Sequence, residues 1–180
     1  MGRVVLDPGH GGIDPGAVAG GVKEVDLCLS ITVKVETVLM NMGHSVTHYV
    51  APVGVPDSLA ARLAYANKVK PDAFVSIHAN AGPPTGNGFE VIVNPSPTDL
   101  YVAKSRRLAD RILAVLDNRT PGKNRGRKEM GLYVLNQKRP CCLVEVGFLT
   151  NKKERGYITS KEGKLAIAEA IAWGINGFLS

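Results

Sequence analysis

Near the start of the chain stands Val4-Val5-Leu6-Asp7-Pro8-Gly9-His10-Gly11-Gly12, the stretch that decides the fold class. Its short apolar run is typical of a buried strand, and the Pro-Gly pair that follows favours a turn. From residue 25 to residue 42, apolar side chains then recur at helical spacing, and Gly43 provides a stop signal. A strand, a glycine-rich turn and an amphipathic helix in this order indicate a layered α/β fold.

The same alternation of strands and helices continues to the end of the chain. Asp57-Ser58 can cap a helix that ends before Pro71, and Thr159 with Glu162 forms a capping-box pattern ahead of a final helix. The apolar residues of these helices, Leu59 and Leu165 among them, are expected to face the core. We predict one α/β domain over residues 1–180, with a mostly parallel, twisted sheet of about six strands and helices on both faces. The predicted strands are 3–7, 45–50, 73–78, 88–93, 132–135 and 141–146, and the helices before the final one are 25–42, 59–69 and about 99–117.

Length and composition indicate an ordinary globular domain, with 180 residues of which 44% are hydrophobic and 21% charged. The apolar runs are far shorter than the roughly 20 residues that a membrane-spanning helix needs. The N-terminus has the pattern of a strand and not of a secretory signal, so export would need a missing segment or release by lysis. Cys28, Cys141 and Cys142 form no CxxC pair and are expected to be small buried hydrophobic residues.

The formal net charge of +6 favours contact with polyanions such as nucleic acid, an anionic membrane or an acidic cell-wall polymer. Basic residues are concentrated in two segments. The first shares its segment with a helical apolar face and is expected to be a solvated helix surface, whereas the second lies among glycine and proline and is expected to be an exposed loop. The two groups are Lys104, Arg106, Arg107 and Arg111, and then Arg119, Lys123, Arg125, Arg127 and Lys128.

Four chemically active side chains lie where predicted elements meet at one edge of the sheet. His10 follows the first strand, His78 ends another, Glu145 lies near the end of the strand from Cys141, and Glu24 precedes the first long helix. Ligands of such sheets bind beyond the carboxyl ends of the strands. Two histidines and a glutamate could hold a catalytic zinc ion with one position left for water, and a second carboxylate could accept the proton of that water.

Each of the four also has another explanation. The glycine-rich loop around His10 could instead bind phosphate, although the Lys-Ser/Thr of a P-loop is missing. His78 could be a hydrogen-bonded core histidine, and Glu24 could favour the dipole of its helix from the first turn. Glu145 stands in an apolar strand, where an unpaired carboxylate is costly, so a structural salt bridge is the alternative. His44 and His48, with no carboxylate nearby in the sequence, are expected to be structural or exposed.

A resemblance to a known family separates these alternatives. The sequence resembles the zinc-dependent N-acetylmuramoyl-L-alanine amidases, which are bacterial cell-wall hydrolases, over essentially the whole chain. The motifs that carry the resemblance are Val5-Leu6-Asp7-Pro8-Gly9-His10-Gly11-Gly12, Asp14-Pro15-Gly16-Ala17, Glu24 before a helix, Val75-Ser76-Ile77-His78-Ala79-Asn80-Ala81, Gly88-Phe89-Glu90-Val91 and Leu143-Val144-Glu145-Val146-Gly147-Phe148-Leu149-Thr150-Asn151.

The resemblance implies one zinc ion per chain, held by His10, Glu24 and His78, with Glu145 as the catalytic carboxylate. It implies hydrolysis of the amide bond between the lactyl group of N-acetylmuramic acid and the L-alanine of the stem peptide. Asn80 and Glu90 are candidate substrate-binding residues. The resemblance also includes Arg62 and Asn67, to which we assign structural roles.

The expected partner is peptidoglycan, in the cell wall or outside the cell, with anionic wall polymers as a further partner. We expect a monomer that binds neither nucleic acid nor membrane. The alternatives are a zinc peptidase or deacetylase acting on another wall bond, and a non-catalytic basic module that binds wall polymer.

Two departures from the family pattern qualify the resemblance. The Thr-Arg pair and following Asp that many members carry after the second strand are replaced here by Thr47-His48-Tyr49, which argues against a substrate role for that loop. Some members insert a regulatory helix after the strand equivalent to 88–93. Here only Asn94-Pro95-Ser96-Pro97 precede the next predicted helix, so we predict an open site.

Overall fold

The computed structural model describes residues 1–95 and 101–180 and confirms the predicted α/β class. Its strands are β1 (Arg3–Pro8), β2 (Val18–Ala19), β3 (Val22–Lys23), β4 (Ser45–His48), β5 (Ala73–Asn80), β6 (Phe89–Val93), β7 (Asn124–Glu129) and β8 (Cys141–Phe148). Its α-helices are α1 (Glu24–Asn41), α2 (Leu59–Val69), α3 (Val102–Arg119), α4 (Lys152–Thr159) and α5 (Lys161–Leu179).

Six of the strands form one sheet in the order β4-β1-β5-β8-β6-β7. Strands β4, β1, β5 and β8 are parallel to one another, whereas β6 pairs antiparallel with β8 and parallel with β7. The ends of β1, β5 and β8 therefore meet at one edge of the sheet, which we call the carboxyl edge. The opposite edge, where these three strands begin, is the amino edge.

Alternating side chains of the central strands enter two separate cores. Val4 and Leu6 of β1 join the larger core, which contains the buried faces of α1, α3 and α5. Val5 and Phe74 point the other way and pack with Ala66 of α2 and the residues around it. The period of two along each strand thus places helices on both faces, as predicted.

Several sequence predictions are wrong in detail. Residues 132–135 are not a strand, because Tyr133–Leu135 form a 3-10 turn. The segment expected to be an exposed basic loop contains β7, whose Asn-Arg-Gly-Arg-Lys-Glu sequence suits an edge strand because charge discourages further pairing. Helix α4 was not predicted at all.

The helix ends and faces also differ from expectation. Ser160, not Thr159, caps α5, since its Oγ accepts the N–H of Gly163. Leu59 and Leu165 are exposed instead of facing the core. The predicted start of the third helix at residue 99 lies outside the described residues, and α3 is described from Val102.

Among the described helices, none has the length and the apolar character needed to cross a membrane.

Candidate metal centre

The turn after β1 places His10 at the carboxyl edge in an uncommon backbone conformation. His10 has a φ of 64°, in the left-handed region that non-glycine residues seldom occupy. The N–H of the preceding Gly9 donates to the carbonyl of Ile77 on β5 at 2.8 Å. A Cβ at Gly9 would overlap the ring of His78, so glycine lets the two histidines approach each other.

Glu24 reaches the same place from the first residue of α1. Its side chain is buried, and its two oxygens accept backbone N–H groups from different segments. Oε2 accepts from Ala17 at 3.0 Å, and Oε1 accepts from Ala79 at 3.1 Å. The carboxylate is therefore fixed between the loop before α1 and the end of β5.

The side chains of His10, Glu24 and His78 meet around one point. His10 Nε2 lies 3.0 Å from Glu24 Oε2, and His78 Nδ1 lies 3.0 Å from Glu24 Oε1. One ligand-capable atom from each of the three residues falls within 4.8 Å of the other two. Two imidazoles and a carboxylate at this spacing can hold a divalent metal ion.

The charges in this cluster stabilise one another. The hydrogen bond to Glu24 raises the pKa of His10 to about 9, with help from Asp14 and against the effect of burial. Burial alone would raise the pKa of Glu24, but the hydrogen bonds from the two histidines and two backbone amides hold it below its ordinary value. In the metal-free cluster, Glu24 is therefore anionic and His10 carries the proton of their hydrogen bond.

A second carboxylate supports His10 from the other side of its ring. Asp14 Oδ2 lies 2.8 Å from His10 Nδ1, while Asp14 Oδ1 accepts the N–H of Gly16 at 2.9 Å. This leaves Nε2 of His10 as the nitrogen that faces the cluster. Carboxylates in this position orient metal-binding histidines and fix the tautomer.

Glu145 lies beside the cluster on the neighbouring strand β8, where it is the register partner of His78. Its Oε2 is buried and has no hydrogen-bond partner among the described residues. Burial raises the pKa of Glu145 to about 7, against the effect of His78 and with added repulsion from Glu24 and Glu90. A carboxyl group with a pKa near neutral is suited to proton transfer.

A polar chain continues from Glu145 into β6 and β7. Glu90 is the register partner of Glu145, accepts the amide of Asn80 at 3.1 Å, and pairs with Arg125 Nε at 2.7 Å. The guanidinium of Arg125 lies 5.1 Å from the ring centre of Phe148. Asn80 and Glu90 therefore sit next to the cluster, as a substrate-binding role would require.

Arg62 of α2 ties the His10 turn to the sheet. It is 2% exposed, and its guanidinium donates to Asp7 at 2.5 Å, to Asp57 at 2.9 Å and to the carbonyls of Pro8 and His10. A cavity of about 370 Å³ between α2 and the turn is lined by His10, His78 and Arg62 among others. The structural role assigned to Arg62 agrees with these contacts, and its bond to the carbonyl of His10 extends that role to the cluster.

The other histidines and the cysteines lie away from the cluster. His44 bonds the N–H of Gly2 and the amide of Asn176 and is structural, as expected. His48 is also structural, as expected, but it does have a carboxylate nearby in space, because Glu36 of α1 lies 2.8 Å from its Nδ1. The three cysteines are buried, as predicted.

The four residues selected from the strand ends thus come together, and Asn80 and Glu90 adjoin them. Sequence reasoning missed the contacts of Asp14 with His10 and of Arg125 with Glu90. Asp14 stands in the same glycine-rich motif as His10, and that proximity is the signal that could have indicated it. Arg125 gave no such signal, because its segment was interpreted as a loop.

Comparison with known proteins gives a consistent result. Residues 4–177 match the family described as N-acetylmuramoyl-L-alanine amidase. The endolysin of Bacillus phage SPP1 is 36% identical over 98% of this chain and 66% of its own length. The N-acetylmuramoyl-L-alanine amidase CwlM of Bacillus licheniformis is 33% identical over 97% of this chain and 68% of its own. The solved structure of N-acetylmuramoyl-L-alanine amidase AmiC2 of Nostoc punctiforme superposes with a TM-score of 0.88 at 34% identity, over 98% of this chain and 96% of that one.

Proposed function

The chain belongs to the N-acetylmuramoyl-L-alanine amidase family of peptidoglycan hydrolases, and we propose a zinc-dependent mechanism for it. In this mechanism His10, Glu24 and His78 hold one zinc ion, and Glu145 is the general base. The bond that is hydrolysed is the amide between the lactyl group of N-acetylmuramic acid and the L-alanine of the stem peptide. We propose that residues 1–180 form the catalytic domain of this enzyme. The observation that carries the proposal is the meeting of the three ligand-capable side chains at the carboxyl edge, with Glu145 beside them.

The residues present fit a zinc ion. Zinc sites in hydrolases combine imidazole and carboxylate ligands and leave one position open, and two histidines and one glutamate meet that description. Asp14 supplies the outer carboxylate that such a histidine ligand normally has. The buried Oε2 of Glu145 has no partner among the described residues, as expected of a carboxylate whose partner is a bound water or substrate.

Each residue has a separate task in the proposed reaction. When bound, zinc lowers the pKa of water and polarises a carbonyl group. Glu145 accepts the proton of the attacking water and returns it to the departing alanine nitrogen, because it lies beside the cluster and its buried Oε2 has no hydrogen-bond partner among the described residues. Asn80 and Glu90 line the approach next to Glu145 and are proposed to position the substrate.

Product analysis tests the proposed reaction. Purified peptidoglycan is digested with the full chain, and the soluble products are identified by mass spectrometry. We expect stem peptides with a free L-alanine amino terminus and uncut glycan chains, activity lost with a chelator and restored by zinc. Cleavage within the stem peptide would indicate a peptidase, loss of acetyl groups a deacetylase, and binding without any product a non-catalytic module.

Three variants separate the proposed roles. Glu145→Gln should lower turnover by roughly 10²–10⁴-fold while zinc content stays close to one per chain. His78→Ala should lose both zinc and turnover. His48→Ala is the matched control, since it removes a carboxylate-paired histidine outside the cluster and should change neither. Loss of zinc from Glu145→Gln would make Glu145 a ligand and contradict the assignment.

A further inference from the structure

A second site is formed at the amino edge of the sheet, opposite the histidine cluster. A groove of about 800 Å³ is lined there by Gly2, Asp72 and Pro140, the residues just before β1, β5 and β8. The histidine cluster lies at the carboxyl edge of the same three strands. A ligand in this groove would therefore leave the candidate metal centre uncovered.

The groove is strongly basic. Asp72 is its one acidic lining residue in the part of the chain that the structure describes, and Asp72 Oδ2 already accepts the backbone N–H of Arg3 at 2.8 Å. None of the lining cations forms an ion pair with another described residue, although four other arginine–carboxylate pairs lie on the sheet and helix surfaces. The lining cations are Lys70, Lys104, Arg107, Lys138 and Arg139.

Arg139 is the buried member of this group. It is 9% exposed, and its one hydrogen bond within the described residues runs from Nη2 to the Asn67 amide oxygen at 2.7 Å. Its Nε is buried and has no partner among the residues that the structure describes, and burial lowers the pKa of Arg139. A guanidinium buried without an anion is destabilising, and a bound oxyanion would offset that cost.

The remaining cations belong to separate segments of the chain that border the groove. Lys104 and Arg107 are three residues apart on α3 and so share one face of the helix. The guanidinium of Arg107 lies 4.9 Å from the ring centre of Phe178, which fixes its position. Lys70 follows α2 and Lys138 precedes β8, so the positive charge comes from three separate segments. This distribution suits several linked anionic groups better than one small anion.

We propose that this groove binds a phosphate-bearing polymer of the cell wall, with Arg139 contacting one phosphate and the exposed lysines contacting its neighbours. Arginine presents a planar set of donors that matches phosphate oxygens, whereas lysine acts as a mobile point charge. Binding there would hold the chain on an anionic polymer while the carboxyl edge stays accessible. That this polymer lies in the cell wall rests on the proposed function; the binding itself does not.

A binding assay with matched charge variants tests the proposal. The probe is a fluorescently labelled poly(glycerol phosphate), titrated with the full chain at fixed ionic strength and followed by anisotropy, with inorganic phosphate as competitor. The double variant Lys104→Gln/Lys138→Gln removes two groove cations, and Lys153→Gln/Lys161→Gln removes two exposed cations elsewhere. Arg139→Gln tests the buried contact, and the lysine pair keeps the test valid if that variant fails to fold.

We expect the groove variant to bind at least about tenfold more weakly and the control variant to lose about twofold or less. The estimate follows from the roughly fivefold effect of each cation beside an anionic surface. Inorganic phosphate should displace the probe from the wild-type chain. Equal losses in the two double variants would mean that binding follows net charge and would overturn the proposal. Absence of binding by the wild-type chain, or tighter binding of single-stranded DNA of equal charge, would also overturn it.

The outcome is independent of the amidase proposal. Binding is measured on metal-free as well as zinc-loaded protein, and both should give the same affinity because the groove lies at the opposite edge. The groove variants should hydrolyse solubilised peptidoglycan fragments at the wild-type rate. Failure of hydrolysis with intact binding would count against the proposed function alone, and the reverse would count against the groove alone.

Discussion

Two arginines are buried at opposite edges of the same sheet, and their surroundings differ sharply. Arg62 at the carboxyl edge is 2% exposed and donates to two carboxylates and two backbone carbonyls. Arg139 at the amino edge is 9% exposed and donates to a single amide oxygen within the described residues. Within the described part of the chain, the arginine at the carboxyl edge thus has two carboxylate partners, whereas the arginine at the amino edge has none.

The pKa values of the two arginines follow this difference. Burial acts to lower the pKa of Arg62, but Asp7 and Asp57 outweigh it and the pKa is raised. At Arg139 burial is the dominant effect and the pKa is lowered. A buried cation with all its partners holds structure together, whereas one without an anion retains the capacity to bind one.

Replacing each arginine by methionine tests this comparison with the largest expected effect. Arg62→Met leaves Asp7 and Asp57 without their cation and should lower the free energy of unfolding by roughly 3–5 kcal/mol. Arg139→Met leaves no described carboxylate without its cation and should stay within about 1 kcal/mol of the wild type, or exceed it. Urea denaturation of both variants gives the two values. Equal losses of unfolding free energy in the two variants would contradict the difference between the two buried arginines.

The next largest effect is expected when the charge of Asp14 is removed, and it tests how the carboxyl edge binds zinc. Asp14→Asn keeps the shape and can still accept the N–H of Gly16, but it removes the charge that faces His10. Zinc affinity should fall roughly 10–100-fold while the free energy of unfolding of the metal-free protein changes little. Competition with a chromogenic chelator measures the affinity.

The control for Asp14 is Glu36→Gln, which alters an equally close carboxylate–histidine pair outside the cluster. Its zinc affinity should equal that of the wild type. A loss of the same size in Glu36→Gln would show that the effect of Asp14 is a general one on charge.

The pH dependence of zinc binding comes third. Glu24 and Asp14 raise the pKa of His10 to about 9 in the metal-free protein, so His10 still carries a proton at neutral pH. That proton must leave when a metal binds, so zinc affinity should rise about tenfold for each pH unit between 6 and 8. In Asp14→Asn the rise should flatten within that range, because one of the groups that raise the pKa is lost. An affinity that does not change over this range would contradict a ligand role for His10.

The sequence predicted the meeting of His10, Glu24, His78 and Glu145 because each lies next to the end of an element, and the topology of a parallel sheet brings such ends together. Their metal-binding and catalytic roles stay predictions that the resemblance supports. The link from Arg62 to the His10 carbonyl was not predictable in the same way, because it depends on how α2 packs against the turn.

The predictions of secondary structure were wrong where the local sequence pattern does not reflect the position of a segment in the fold. Strand β7 is almost entirely polar because it is the outermost strand, so it lacks the apolar alternation by which strands are recognised. Tyr133–Leu135 have an apolar strand-like composition but form a turn, and its Val134 and Leu135 pack in the smaller core with Phe74. Arg139 stands next to a proline in a segment with no period, and only the fold shows that it is buried.

The smallest expected effect is the stabilisation of the native chain by phosphate. Only the folded state brings Arg139 together with the lysines of α3 and of the segment before β8, so phosphate should bind the native state alone. At a phosphate concentration equal to its dissociation constant, the free energy of unfolding should rise by about 0.4 kcal/mol over chloride at equal ionic strength. The rise should be absent in Lys104→Gln/Lys138→Gln and retained in Lys153→Gln/Lys161→Gln. If both variants keep it, phosphate acts on the whole surface, and Arg139 would differ from Arg62 in structure but not in function.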